Sequence, residues 1–188
     1  LQMFSSLAFY PSLGYNLLRN YVQPGKWQWY NRIDDSLIVG AMPFKSMADE
    51  LVEKERVGGV VCCTEEFELN AAYNAMREQD WKERGVRFHH IPMTDFFGSA
   101  GRQEMERAVG FMKEVEKEGK SVYVHCKAGR TRSATAAACY LMEKKGWMPN
   151  VAFEFLKANR PQVMLRNAHW RTCNEYRRYL DKLPPASP

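Results

Sequence analysis

The chain has 188 residues, a length that suits one domain with a sizeable core. Hydrophobic residues make up 45% and charged residues 26%, which excludes a disordered or fibrous chain. The net charge of +5 suits an anionic substrate or surface and is too small to imply nucleic acid as a partner.

Arg19, Lys26 and Arg32 all precede the first acidic residue, Asp34. Within this stretch "LAFYPSLGYNLLRNYV" is apolar and aromatic, but Pro11, Gly14, Asn16 and Arg19 interrupt it. A spanning helix needs roughly 18 or more unbroken apolar residues, so a transmembrane helix is rejected. Three readings stay open: an arm packing on the core, an interfacial amphipathic segment, or the remainder of an acid-poor organelle-targeting sequence. The expected division is an N-terminal segment over 1–26, a catalytic domain over 27–183 and a tail over 184–188.

Apolar runs rich in β-branched residues and bounded by Gly, Pro or Asp predict strands at "SLIVGAM" (36–42), "VGGVVCCT" (57–64), "VRFHHIPM" (86–93) and "SVYVHC" (121–126). Helices are predicted between and after them. In "GRQEMERAVGFMKEVEKEGK", Met105, Ala108, Val109, Met112 and Val115 recur at helical spacing, and Gly119 supplies a stop. "SATAAACYLMEKKG" ends at Gly146. Pro149 suits the first turn of the next helix, where Val151, Ala152, Phe155 and Leu156 are expected on one side. A last helix is expected over about 166–182, with Trp170, Cys173, Tyr176 and Leu180 inward. Strands alternating with helices argue for an α/β domain with a mostly parallel central sheet flanked by helices. Ligands bind such sheets where strand turns to helix.

Five cysteines, Cys62, Cys63, Cys126, Cys139 and Cys173, form an odd set without CxxC spacing. They imply neither a metal cage nor a disulfide framework, and a reducing compartment fits. Cys126 stands apart. It ends a buried strand and opens "HCKAGRTRS", with Arg132 six positions on and a helix after it. Such a loop turns successive backbone N–H groups inward and adds a helix N-terminus, which together make an anion site. Gly129 permits the turn, and Arg132 can grip two phosphate oxygens. The same field favours a thiolate at Cys126, a nucleophile for phosphoryl transfer. His125 would orient the cysteine, and the Ser133 hydroxyl would stabilise the departing thiolate. The phosphate-binding loop is then Lys127, Ala128, Gly129, Arg130, Thr131 and Arg132. Lys127, Arg130 and Thr131 are expected to face outward, towards the rest of an anionic substrate.

These residues are the signature of the protein tyrosine and dual-specificity phosphatase superfamily. The chain further resembles the mitochondrial phosphatidylglycerophosphate phosphatase family, dual-specificity-like members acting on a phospholipid. "WYNRIDDSLIVGAMPFKS", "EEFE", "HCKAGRTRSATAAACYL", "GWMPNVAFEFL" and the early "FYPSLGYNLLRN" carry the resemblance over nearly the whole chain. It implies a dual-specificity phosphatase-like fold and a metal-independent, cofactor-free phosphomonoesterase working through a phosphocysteine. The product would be phosphatidylglycerol, on the route to cardiolipin, with the enzyme at the matrix face of the mitochondrial inner membrane and its N-terminal segment against the membrane surface. It implies a general acid on a loop upstream of the cysteine. There Asp95 is the only acidic residue between Glu83 and Glu104. It also implies that Glu65, Glu66 and Glu68 border the active site, although Phe67 stands where the family carries tyrosine. Arg166 resembles a rim arginine, but Asn167 replaces the usual proline. A dual-specificity protein phosphatase and a phospho-ligand-binding pseudophosphatase are the competing expectations. Pseudophosphatases lose the cysteine or the arginine, and both are present here.

Overall fold

A computed structural model describes residues 2–22, 28–93 and 100–184. Five strands form one sheet: β1 (Tyr30–Arg32), β2 (Leu37–Gly40), β3 (Val57–Cys62), β4 (Arg87–His90) and β5 (Ser121–His125). Their order is β1-β2-β5-β3-β4; β1 is antiparallel and the other neighbours run parallel. β5 is therefore central. All five of its residues are buried, as expected of a strand covered on both faces.

The helices are α1 (Gln2–Val22), α2 (Glu66–Ala71), α3 (Glu78–Lys82), α4 (Arg102–Lys117), α5 (Arg132–Lys145), α6 (Pro149–Asn159) and α7 (Asn167–Leu180). Strand residues alternate between two cores. Leu37, Val39, Val61, Val122 and Val124 face α4 to α7. Ile38, Val60 and Tyr123 face the other layer, with Leu51, Trp81 and Val86. α5 is buried from Arg132 to Met142, and its run of alanines lets strands and helices close around it.

The expected helical stripe of α4 is the buried one: Met105, Ala108, Val109, Met112 and Val115. α6 differs from expectation. Phe153 turns inward with Ala152 and Leu156, Phe155 is half-buried and Val151 is exposed. Both phenylalanines fit a helical stripe, and only the neighbouring α7 chooses between them, through Phe153 stacked edge-on against Trp170. In α7 the buried residues are His169, Thr172, Cys173 and Tyr176, with Trp170 and Leu180 half-buried at the edge.

The N-terminal segment forms a helix that packs on the domain. Phe9 and Leu13 are buried in a cluster with Met42, Cys62 and Leu69. Tyr10, Tyr15, Leu17, Leu18 and Val22 remain exposed on its outer faces. Among the described residues no helix is long and apolar enough to cross a membrane.

Candidate active site

Cys126 follows directly on the central strand. The backbone after β5 is tied to both neighbouring strands, because Cys63 N donates to His125 O at 2.8 Å and Met42 N donates to Lys127 O at 3.2 Å. Gly129 has φ +64°, and a Cβ there would lie 2.4 Å from the backbone of Gly40. No side chain fits, so the loop can take this path only with glycine. The loop ends at Arg132, the first residue of α5, and Thr131 O accepts from Thr135 N at 3.0 Å.

The cysteine lies at the bottom of a cavity of about 100 Å³. Its Sγ is 3.4 Å from Ser133 Oγ. Burial by itself would raise the thiol pKa. The Arg132 charge, the Ser133 hydroxyl and the N–H groups of Ser133 and Arg130 outweigh it, and the net shift is downward from 9.0. Three other buried thiols go the opposite way: burial pushes Cys62 up to about 11 and Cys63 and Cys139 well above 9.0. The expected thiolate is thus singled out by its surroundings.

Arg132 is buried and held in a fork. Nη1 donates to Glu68 Oε2 at 2.6 Å and Nη2 to Glu68 Oε1 at 3.0 Å, with Met93 O a further acceptor at 2.9 Å. Of the three acids expected at the border, only Glu68 reaches the arginine. Glu65 caps α2, its N–H donating to Glu68 Oε2 at 2.9 Å, and Glu66 is exposed. Glu68 is thereby oriented by its own helix start.

His125 is fully buried. Burial pulls its pKa down to about 3, the Cys126 backbone opposing and the Arg132 charge assisting, so the imidazole is neutral at ordinary pH. His89 and His90 belong to the fold: one stacks on Phe111, the other bonds Thr64 O at 2.7 Å.

Lys127 departs from expectation. It is buried, with Nζ 5.6 Å from the centre of the Phe9 ring and 3.9 Å from Glu68 Oε1. Its ammonium sits over the Phe9 ring of α1 and near a buried carboxylate, contacts not visible in local spacing, while the residue still lines the cavity. Arg130 and Thr131 are half-exposed and line the cavity, as expected. Arg130 Nε donates to Gln162 O at 3.3 Å. Asp95 lies outside the described residues.

The site also contains residues that sequence reasoning missed. Ser12 and Tyr15 of α1 and Met164, Arg166 and His169 near the start of α7 line the cavity. Arg160 is buried behind the loop and bonds Gly129 O. Only Arg166 carried a signal, through resemblance.

Residues 51–179 match the catalytic domain family of dual specificity phosphatases. The chain belongs to that family. This phosphatase is 36% identical to "Phosphatidylglycerophosphatase and protein-tyrosine phosphatase 1" of Mus musculus over 173 residues, 92% of this chain and 89% of the relative. It is 34% identical to "Phosphatidylglycerophosphate phosphatase PTPMT2" of Arabidopsis thaliana, covering 94% of this chain and 75% of that one. Among solved structures it resembles PTPMT1 in complex with PI(5)P, with a TM-score of 0.78 and 32% identity over 82% of this chain and 97% of the other. As a member of this family it is a cysteine-dependent phosphoric monoester hydrolase. α1 precedes the residues matched to the family, yet two of its side chains line the cavity.

Proposed function

We propose that this phosphatase removes the terminal phosphate of phosphatidylglycerophosphate, giving phosphatidylglycerol and inorganic phosphate. The Cys126 thiolate attacks phosphorus in line, the P–O bond to the glycerol breaks, and Asp95 protonates the departing alkoxide. Arg132 and the inward N–H groups of residues 127–132 stabilise the charge on the transferring group. Asp95, now a carboxylate, then takes a proton from water; the water oxygen bonds phosphorus, the S–P bond breaks, and Ser133 donates a hydrogen bond to the returning thiolate.

The observation that carries the lipid reading is the size and setting of the cavity. About 100 Å³ holds a phosphate group but not a diacylglycerol, since pockets for drug-sized molecules measure roughly 300–1,000 Å³. The acyl chains therefore stay outside, in the bilayer, while the headgroup reaches in. α1 adds the exposed apolar side chains Tyr15, Leu18 and Val22, and Arg130 and Arg166 line the cavity; this combination suits an anionic lipid surface. The printed names of the mouse and Arabidopsis relatives support the same substrate. On this reading the enzyme works at the matrix face of the mitochondrial inner membrane.

Phosphate release from phosphatidylglycerophosphate, measured without added metal beside a phosphotyrosine peptide, tests the assignment. Turnover of the lipid by the wild type and none by Cys126→Ser is expected. Equal release by Cys126→Ser would end the nucleophile assignment. A second reading, a protein tyrosine phosphatase, is favoured by the other half of the mouse relative's name; a much faster rate on the peptide would select it.

A further inference from the structure

Arg160 is 1% exposed, and among the described residues no carboxylate pairs with it. Five oxygens surround its guanidinium instead. Nε donates to Gly129 O at 2.7 Å. Nη1 donates to Asn31 Oδ1 at 2.7 Å and Gln28 O at 3.2 Å. Nη2 donates to Ala128 O and Trp29 O, each at 3.3 Å. Burial pulls the guanidinium down to about 10, so it is still a cation at neutral pH. A buried charge without a counter-ion is costly unless something balances it.

Two features show what balances it. The first is the peptide plane between Gly129 and Arg130. In a trans peptide the carbonyl and the following N–H point in opposite directions. Arg160 holds Gly129 O from behind, and the N–H of Arg130 is among the groups bonded to Cys126. Ala128 O is held from the same side, which turns the N–H of Gly129 towards the cavity. The second feature is the charge balance. Its buried charges, among the described residues, are one carboxylate, Glu68, against the cations Arg132 and Lys127 as well as Arg160. Cys63 just after β3, and Tyr123 and His125 on β5, are neutral, since burial raises the first two and lowers the third. Arg130 and Arg166 line the cavity but are partly or fully exposed. Among the described residues the buried cations thus outnumber the buried carboxylate before the Cys126 sulfur and a bound phosphate are counted.

We propose that Arg160 is a positioning residue acting through the phosphate loop: it turns the loop's N–H groups towards the substrate, and the Cys126 thiolate and bound phosphate dianion balance its charge. This rests on Cys126 being the nucleophile and is independent of which phosphomonoester is the substrate.

The test uses Arg160→Met, which removes the charge, and Asn31→Asp, which puts a carboxylate beside Arg160 at the same size. The readout is the rate of Cys126 alkylation by iodoacetamide against pH, alongside kcat/KM for a soluble aryl phosphate. The expected result in both variants is a rise of about one unit in the apparent thiol pKa, a ~10-fold fall in alkylation on the acid side, and a comparable fall in kcat/KM. Arg160→Lys keeps the charge with fewer donors; it should hold the thiol pKa and lose kcat. Folded Arg160→Met and Asn31→Asp proteins with the wild-type alkylation profile would overturn the proposal. If Arg160→Met does not fold, Asn31→Asp decides by itself. Turnover retained in Cys126→Ser would separately remove the nucleophile reading.

Discussion

Glu68 clamps Arg132 with both carboxylate oxygens, at 2.6 and 3.0 Å, and both side chains are almost wholly buried. The pair fixes the plane of the guanidinium before any phosphate arrives. It joins α2 to the first residue of α5, so a surface helix sets the geometry of the phosphate grip.

Removing one partner of such a pair leaves a buried charge. Glu68→Ala is expected to lower folding stability by about 3–5 kcal/mol and kcat/KM by at least ~10-fold as orientation is lost. Urea denaturation and turnover of an aryl phosphate check both. An unchanged midpoint with unchanged turnover would show that the clamp does nothing.

Gly129→Ala places a Cβ 2.4 Å from the Gly40 backbone at φ +64°. A left-handed non-glycine residue alone costs about 1–2 kcal/mol, and the clash with main chain adds to it. The variant should bind orthovanadate at least ~10-fold more weakly than the wild type, as measured by calorimetry.

His125 gives a signed pH prediction. Its folded pKa is about 3, against about 6.5 in the unfolded chain. Between these values the unfolded chain binds a proton that the folded protein refuses, so stability falls as pH falls below 6.5. His125→Asn removes this contribution. The urea midpoint of the wild type should therefore fall more steeply than that of His125→Asn between pH 6.5 and pH 4, and parallel curves would refute it.

Leu18 is 60% exposed on α1 and lies outside the catalytic cavity. Leu18→Glu should leave turnover of a soluble aryl phosphate unchanged. On vesicles containing phosphatidylglycerophosphate the rate at low lipid should fall about 10-fold, the effect of losing a side chain whose burial contributes roughly 1.5–3 kcal/mol. An equal rate on vesicles would show that α1 does not meet the lipid.

Much of the site is local in sequence and was legible there. Cys126, Gly129, Arg132 and Ser133 fall within eight residues, and a loop between a buried strand and a helix has few ways to run. The stripe of α4 was equally legible, because its five core positions repeat at the helical period. The role of Glu68 was half legible: resemblance put an acid near the site, but its contact with Arg132 crosses 64 residues. Asp95 remains an assignment from chain position and resemblance.

By itself the sequence determined the α/β order, the reactive cysteine and the chemistry of the loop, because periodicity, turn residues and helix starts act over a few neighbours. The tertiary structure alone decided that Lys127 turns inward under Phe9, that Phe153 rather than Val151 is buried, that α1 lines the cavity and that Arg160 stands behind the loop. Arg160 meets Gln28, Asn31 and Gly129 across separations of 132, 129 and 31 residues. Contacts of that reach depend on how the sheet brings distant segments together, and no local pattern encodes them.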